Sequence, residues 1–128
     1  MKVWNPNKIY NVADEFNRIE SFNEYCKKWL SYYNISVDFE SKINWSINDI
    51  PDINDFNRIK RNINVVLEAI DSNSNRLPIS TQLNQNFTVS KANEIEERLN
   101  ENLYFLGQLQ FSKEITGLNY TGNNFRLG

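Results

Sequence analysis

Apolar residues recur at steps of three and four in three separate stretches. Phe16, Ile19, Phe22 or Asn23, Cys26 and Trp29 or Leu30 form the first series, Phe56, Ile59, Ile63, Val66 or Leu67 and Ile70 the second, and Ala92, Ile95, Leu99, Leu103 and Leu106 the third. This spacing places each series on one face of a helix, and it predicts helices over 12–33, 52–71 and 89–106. The starts carry capping residues: Asn11 with Asp14, Asp52 after Pro51 with Asp55 in the first turn, and Thr88 with Ser90. The polar cluster Asp71–Asn75, followed by Pro78, ends the second helix and opens a loop over 71–87. Between the first two helices, Ile35–Glu40 alternates apolar and polar residues, which fits a short strand and an extended connector equally. From Gly107 onward the chain holds all four of its glycines, with Leu109, Phe111, Ile115, Leu118, Tyr120 and Phe125 spaced among them, and it reads as an extended arm over 107–128.

Overlaid on this pattern is a repeat. Phe16-Asn17-Arg18-Ile19 returns intact as Phe56-Asn57-Arg58-Ile59, and Ala92-Asn93-Glu94-Ile95 is a fainter third copy in which Phe has become Ala. A tryptophan precedes each of the first two copies, Trp4 and Trp45, so each unit reads as a Trp-bearing extended arm leading into a helix, over about 4–33 and 45–71. The first helix then continues Glu20-Ser21-Phe22-Asn23 where the second has Lys60-Arg61-Asn62-Ile63, so the two units differ in how they pack. The expected fold is mainly α: a small three-helix bundle over 1–106, with an internal arm-plus-helix duplication and an extended C-terminal segment.

Composition narrows the chemistry. The chain has 128 residues, no His, one Cys, 14 basic against 16 acidic residues and 13% aromatics. That length suits one domain with a real core. Without His, the commonest general base and metal ligand are missing. Cys26 has no partner for an internal disulfide and falls within the apolar series of the first helix, which assigns it to the core. A net charge of −2 provides no global field for nucleic acid or anionic lipid. No apolar run reaches signal-peptide or membrane-span length, so the expectation is a protein made in the cytoplasm without a membrane span.

Several residues remain to be assigned. Phe and Ile of each tetrad share a face, and burial accounts for them. Asn17, Arg18, Asn57 and Arg58 fall on the flank, where amide and guanidinium groups can grip a backbone or a carboxylate, either of the chain's own Trp arm or of a neighbouring subunit. Trp4 and Trp45 either fold back on the helices or anchor a partner. Arg58, Lys60 and Arg61 form a basic group on the second helix, two of them expected on its solvent side beside Asp52, Asp55 and Glu68, which reads as a solvated face and leaves nucleic-acid binding by this helix as the alternative. Trp29, Tyr32 and Tyr33 admit a sugar-stacking reading, with core packing as their expected role. Glu94, Glu96, Glu97 and Glu101 make an acidic helix face without a matching nucleophile or base, so no catalytic, cofactor-binding or metal-ligating residue is expected. Phe111, Tyr120 and Phe125 of the tail join Trp4 and Trp45 as candidate anchors, because an extended arm docks by adding a strand to a partner.

The Trp arm, then Asp55-Phe-Asn-Arg-Ile-Lys-Arg-Asn-Ile63, then Lys91-Ala-Asn-Glu-Ile-Glu-Glu-Arg-Leu99 resembles small tail and baseplate proteins of phages and phage-like particles, such as contractile bacteriocins, of low-GC Gram-positive bacteria. The likeness runs from Trp4 to the closing Gly122-Asn-Asn-Phe-Arg-Leu-Gly128. The resemblance implies a structural role in the virion, in the distal tail, the baseplate or an attached receptor-binding apparatus, with other tail and baseplate proteins and further copies of the chain as partners; the expectation of no nucleic-acid partner and no cofactor comes from the charge balance and the residue types.

Overall fold

A computed structural model of the chain describes residues 2–70 and 88–120, with side chains as far as Leu109. Three helices, α1 (Val12–Tyr32), α2 (Ile53–Ile70) and α3 (Val89–Tyr120), pack pairwise into a bundle. Their starts form as the capping residues require. Asn11 accepts the Asp14 N–H at 3.2 Å, Thr88 Oγ1 accepts that of Lys91 at 3.2 Å, and Asp52 Oδ1 accepts from Asn54 and Asp55 while the Asp52 N–H donates back to Asp55 Oδ2 at 2.9 Å. α1 ends in a Schellman turn: Ile35 N–H reaches Leu30 O, Asn34 N–H reaches Ser31 O, and Asn34 adopts φ 64°, a left-handed conformation that Asn tolerates.

The core has two parts. Near the helix starts, the isoleucines of the three tetrads, Ile19, Ile59 and Ile95, meet with Phe16, Trp4 and Trp45, each isoleucine at most 2% exposed. Burying each one is worth about 1.5–3 kcal/mol, which makes the tetrads the centre of the fold. Further along, Cys26, Leu30, Phe39, Val66 and Leu106 form a second cluster. Along α1 and α3 a buried polar layer separates them: Asn23, and Asn102, whose Nδ2 donates to Ile63 O at 3.3 Å.

Ile35–Glu40 is an extended connector, not a strand: its carbonyls are taken by side chains, Phe39 O by Lys27 Nζ at 2.7 Å and Glu40 O by Asn62 Nδ2 at 2.7 Å. α3 corrects the expected end at 106. It continues to Tyr120, so residues 107–120 are helical where an extended arm was expected; 121–128, with Phe125, lie outside the described residues, as does the loop over 71–87. Gly107 carries the helix because nothing crowds it, and one glycine weakens a helix by only about 0.5–1 kcal/mol. Buried Leu106 and half-buried Leu109 pack on the second cluster on either side of it.

Candidate functional site

The tetrads hold the arms. Asn17 brackets a single residue of the second arm: its Oδ1 accepts the Trp45 N–H at 2.8 Å and its Nδ2 donates to Trp45 O at 2.9 Å. Glu20, one helical turn on and fully buried, accepts the Trp45 indole N–H at 2.6 Å and the Lys42 N–H at 2.9 Å. Arg58 of α2 closes the arrangement with two bonds to Glu20, at 3.1 and 2.6 Å.

The same device recurs between α3 and the N-terminal arm. Asn93 Oδ1 accepts the Trp4 N–H at 2.7 Å and Asn93 Nδ2 donates to Trp4 O at 3.3 Å. Glu96 accepts the Trp4 indole N–H at 3.0 Å and pairs with both terminal nitrogens of Arg18 from α1. The faint third copy of the repeat is thus a full working copy. Each arm lies on the helix of another unit, which corrects the expectation that a tetrad clamps its own arm: Asn17 grips Trp45, and Trp4 is gripped from α3.

Both tryptophans are therefore buried at 6% exposure with their indole N–H groups paired within the chain, so they are not outward anchors. Phe16 packs edge-on against Trp45 at 5.2 Å and against Phe56 at 5.8 Å, tying the first two units together. Burial alone works to lower the Arg18 and Arg58 guanidiniums, but bonds to Glu96 and Glu15, and to Glu20 and Asp55, outweigh it and raise both. Burial likewise works against the Glu15 and Asp55 carboxylates, and their bonds hold both below the usual carboxylate range: Lys2 and Arg18 for Glu15, the Asp52 N–H and Arg58 for Asp55. Cys26, fully enclosed, has its thiol pushed up to about 12 by burial, which suits a core residue.

Sequence reasoning missed Glu20 and Asn93, and it placed Glu96 on an acidic surface. A signal was available: a carboxylate stands three residues after Asn in two of the three copies, in step with an Arg one residue after Asn in another copy. The basic group on α2 also differs from expectation. Arg58 is occupied by Glu20 and Asp55, Lys60 is 4% exposed, and only Arg61 faces solvent freely. Among the aromatics of α1, Tyr32 is 79% exposed rather than core, while Trp29 is half-buried against Tyr25 at 5.3 Å. The side chains of Phe111 and Tyr120 lie beyond those described.

What the arms leave bare is at their turns. Each arm turns four residues after its tryptophan, Lys8 N–H to Asn5 O at 3.1 Å and Asp49 N–H to Ser46 O at 3.0 Å. Five residues after each tryptophan stands an isoleucine with no cover: Ile9 at 98% and Ile50 at 88% exposed. With Ile47 at 83% and Val12 at 41%, they border a shallow groove of about 510 Å³ at the helix-start end of the bundle. No family model, no curated protein and no solved structure matches this chain. Among the described residues, no cluster of acidic or Cys side chains has the makings of a metal site, and no helix is long and apolar enough to cross a membrane.

Proposed function

We propose that the chain is a non-enzymatic assembly module that docks through the isoleucine-rich end of its bundle, and that it serves as a structural component of a phage or phage-like tail or baseplate. The supporting observation is the bare group Ile9, Ile47 and Ile50. Branched apolar side chains on a polar molecule are ordinarily covered, and a contiguous patch of them marks a contact surface. Ile9 and Ile50 stand at the same distance from Trp4 and Trp45, whose main chains and indoles are held on the helices, and this supports a patch presented by the fixed arms. The buried carboxylates Glu20 and Glu96 are occupied in holding those arms, which fits a structural role for them rather than acid–base work. The tail assignment rests on the resemblance of the tetrad-bearing helices to small tail and baseplate proteins.

The test is a double substitution, Ile9→Asp with Ile50→Asp. These side chains touch little within the chain, so its melting temperature is expected to stay within a few degrees of the original, while the protein disappears from purified particles by mass spectrometry. Undiminished incorporation would refute the reading. Sugar stacking is the second reading, because Tyr32 offers an aromatic ring to solvent beside Tyr33; a glycan array that lights up with the full chain and darkens with Tyr32→Ala would favour it. DNA binding by α2 has less support now that Arg58 and Lys60 are drawn inward, and a gel shift at moderate salt would detect it.

A further inference from the structure

The three helices run the same way, because their tetrad isoleucines meet near the helix starts while Cys26, Val66 and Leu106, further along each helix, meet in the second cluster. Counted from its tetrad isoleucine, α1 runs on for 13 residues to Tyr32, α2 for 11 to Ile70 and α3 for 25 to Tyr120. α3 thus outruns both neighbours by at least 12 residues, about 18 Å of helix at a rise of about 1.5 Å per residue. A helix that short is marginal by itself in water and is ordinarily held by packing an apolar face.

Along this overhang the apolar face of α3 changes sides. Within the bundle the inner line is Ala92, Ile95, Leu99 and Leu106, all buried. Past Leu109 the same line is taken up by Gln110, Lys113 and Gly117, which no longer make an apolar stripe. The apolar positions are now Phe111, Ile115 and Leu118, which share a face roughly 150° around the helix from Leu106. Tyr104, 61% exposed, opens the same line seven residues before Phe111. α3 is therefore two amphipathic helices in series, the first facing its own bundle and the second facing away from it.

Two features say what covers the second face. Tyr104, Phe111, Ile115 and Leu118 follow one another at steps of seven, four and three, the seam of a coiled coil, with Ile115 at an a position and Leu118 at a d position, a combination that favours two parallel strands. The seam also lies opposite the side on which α1 and α2 pack, so a second α3 fits along it with both bundles on the outside. The two seam positions before Tyr104 are Glu97 and Glu101, whose like charges end the contact there. We infer that the projecting end of α3 joins two copies of this chain as a short parallel coiled coil through Tyr104, Phe111, Ile115 and Leu118. The inference rests on neither the tail assignment nor the isoleucine patch.

Sedimentation equilibrium of the full chain tests it, with Ile115→Glu and Gln108→Cys as variants. The original protein is expected to pass from monomer to dimer as its concentration rises. Ile115→Glu sets a charge at the centre of the seam and is expected to weaken the dimer by about a hundredfold or more, while the Trp4 and Trp45 indole N–H signals in NMR stay where they are. Position 108 is the other a position, and a parallel pair brings its two copies together, so Gln108→Cys is expected to form a disulfide-linked dimer in air, with Cys26 kept out of reach by burial. A monomer at every concentration, a dimer indifferent to Ile115→Glu, or a dimer of Gln108→Cys that stays unlinked would each overturn the inference. Should Ile115→Glu disturb the indole signals, Leu118→Glu is read in its place by the same criterion.

Discussion

Glu20 shows how one side chain can hold three parts of a small fold. It has no exposure to water, and it takes donors from the second arm's main chain, from the Trp45 indole and from Arg58 of α2. A carboxylate this deep is stable only because every donor is in place, so removing one partner from the set is far costlier than the set's net worth. Glu20→Ala is expected to lower stability by about 3–5 kcal/mol in urea denaturation. Lys42→Ala, which removes a half-exposed pair with Asp49 and an ammonium 4.2 Å from the Trp45 ring, is expected to cost far less, about 1 kcal/mol. Equal effects of the two substitutions would mean that the carboxylate does not organise the arm. The sequence made Asn17, Arg18, Asn57 and Arg58 conspicuous because their identity was not dictated by burial. It hid Glu20, because a lone acidic residue on an amphipathic helix looks like part of the wet face until the indole and guanidinium that cover it are seen.

At the scale of elements, helix positions were legible because they depend on local information: apolar spacing of three and four, and side chains able to cap. α1 and α2 end within a residue of the expected 12–33 and 52–71. The end of α3 was not legible, since four glycines among spaced aromatics resemble turns, whereas the packing of Leu106 and Leu109 on α1 and α2 carries the helix past Gly107. That glycine has open space around it and no positive φ. Gly107→Ala is accordingly expected to stabilise the protein by about 0.5–1 kcal/mol, a rise of several degrees in melting temperature by calorimetry. A drop would indicate that α3 breaks there. Which helix receives which arm was equally out of reach, because periodicity describes a face and does not name the neighbour that covers it.

At the scale of the molecule, the fold is a circuit. The arm before α2 lies on α1 with Arg58 across it, and the arm before α1 lies on α3 with Arg18 across it, so the N-terminal residues are tied to a helix some ninety positions away. This closure holds Ile9 and Ile50 in fixed positions on the surface, and the proposed docking role depends on it. The exchange of the three indole N–H protons, followed by NMR in deuterated water, tests the circuit most directly. Trp4 and Trp45 donate to buried carboxylates, while Trp29 is half-buried beside Tyr25. Two slow indole signals that vanish only at the rate of global unfolding, beside one fast signal, is the predicted result; three signals exchanging together within minutes would contradict it.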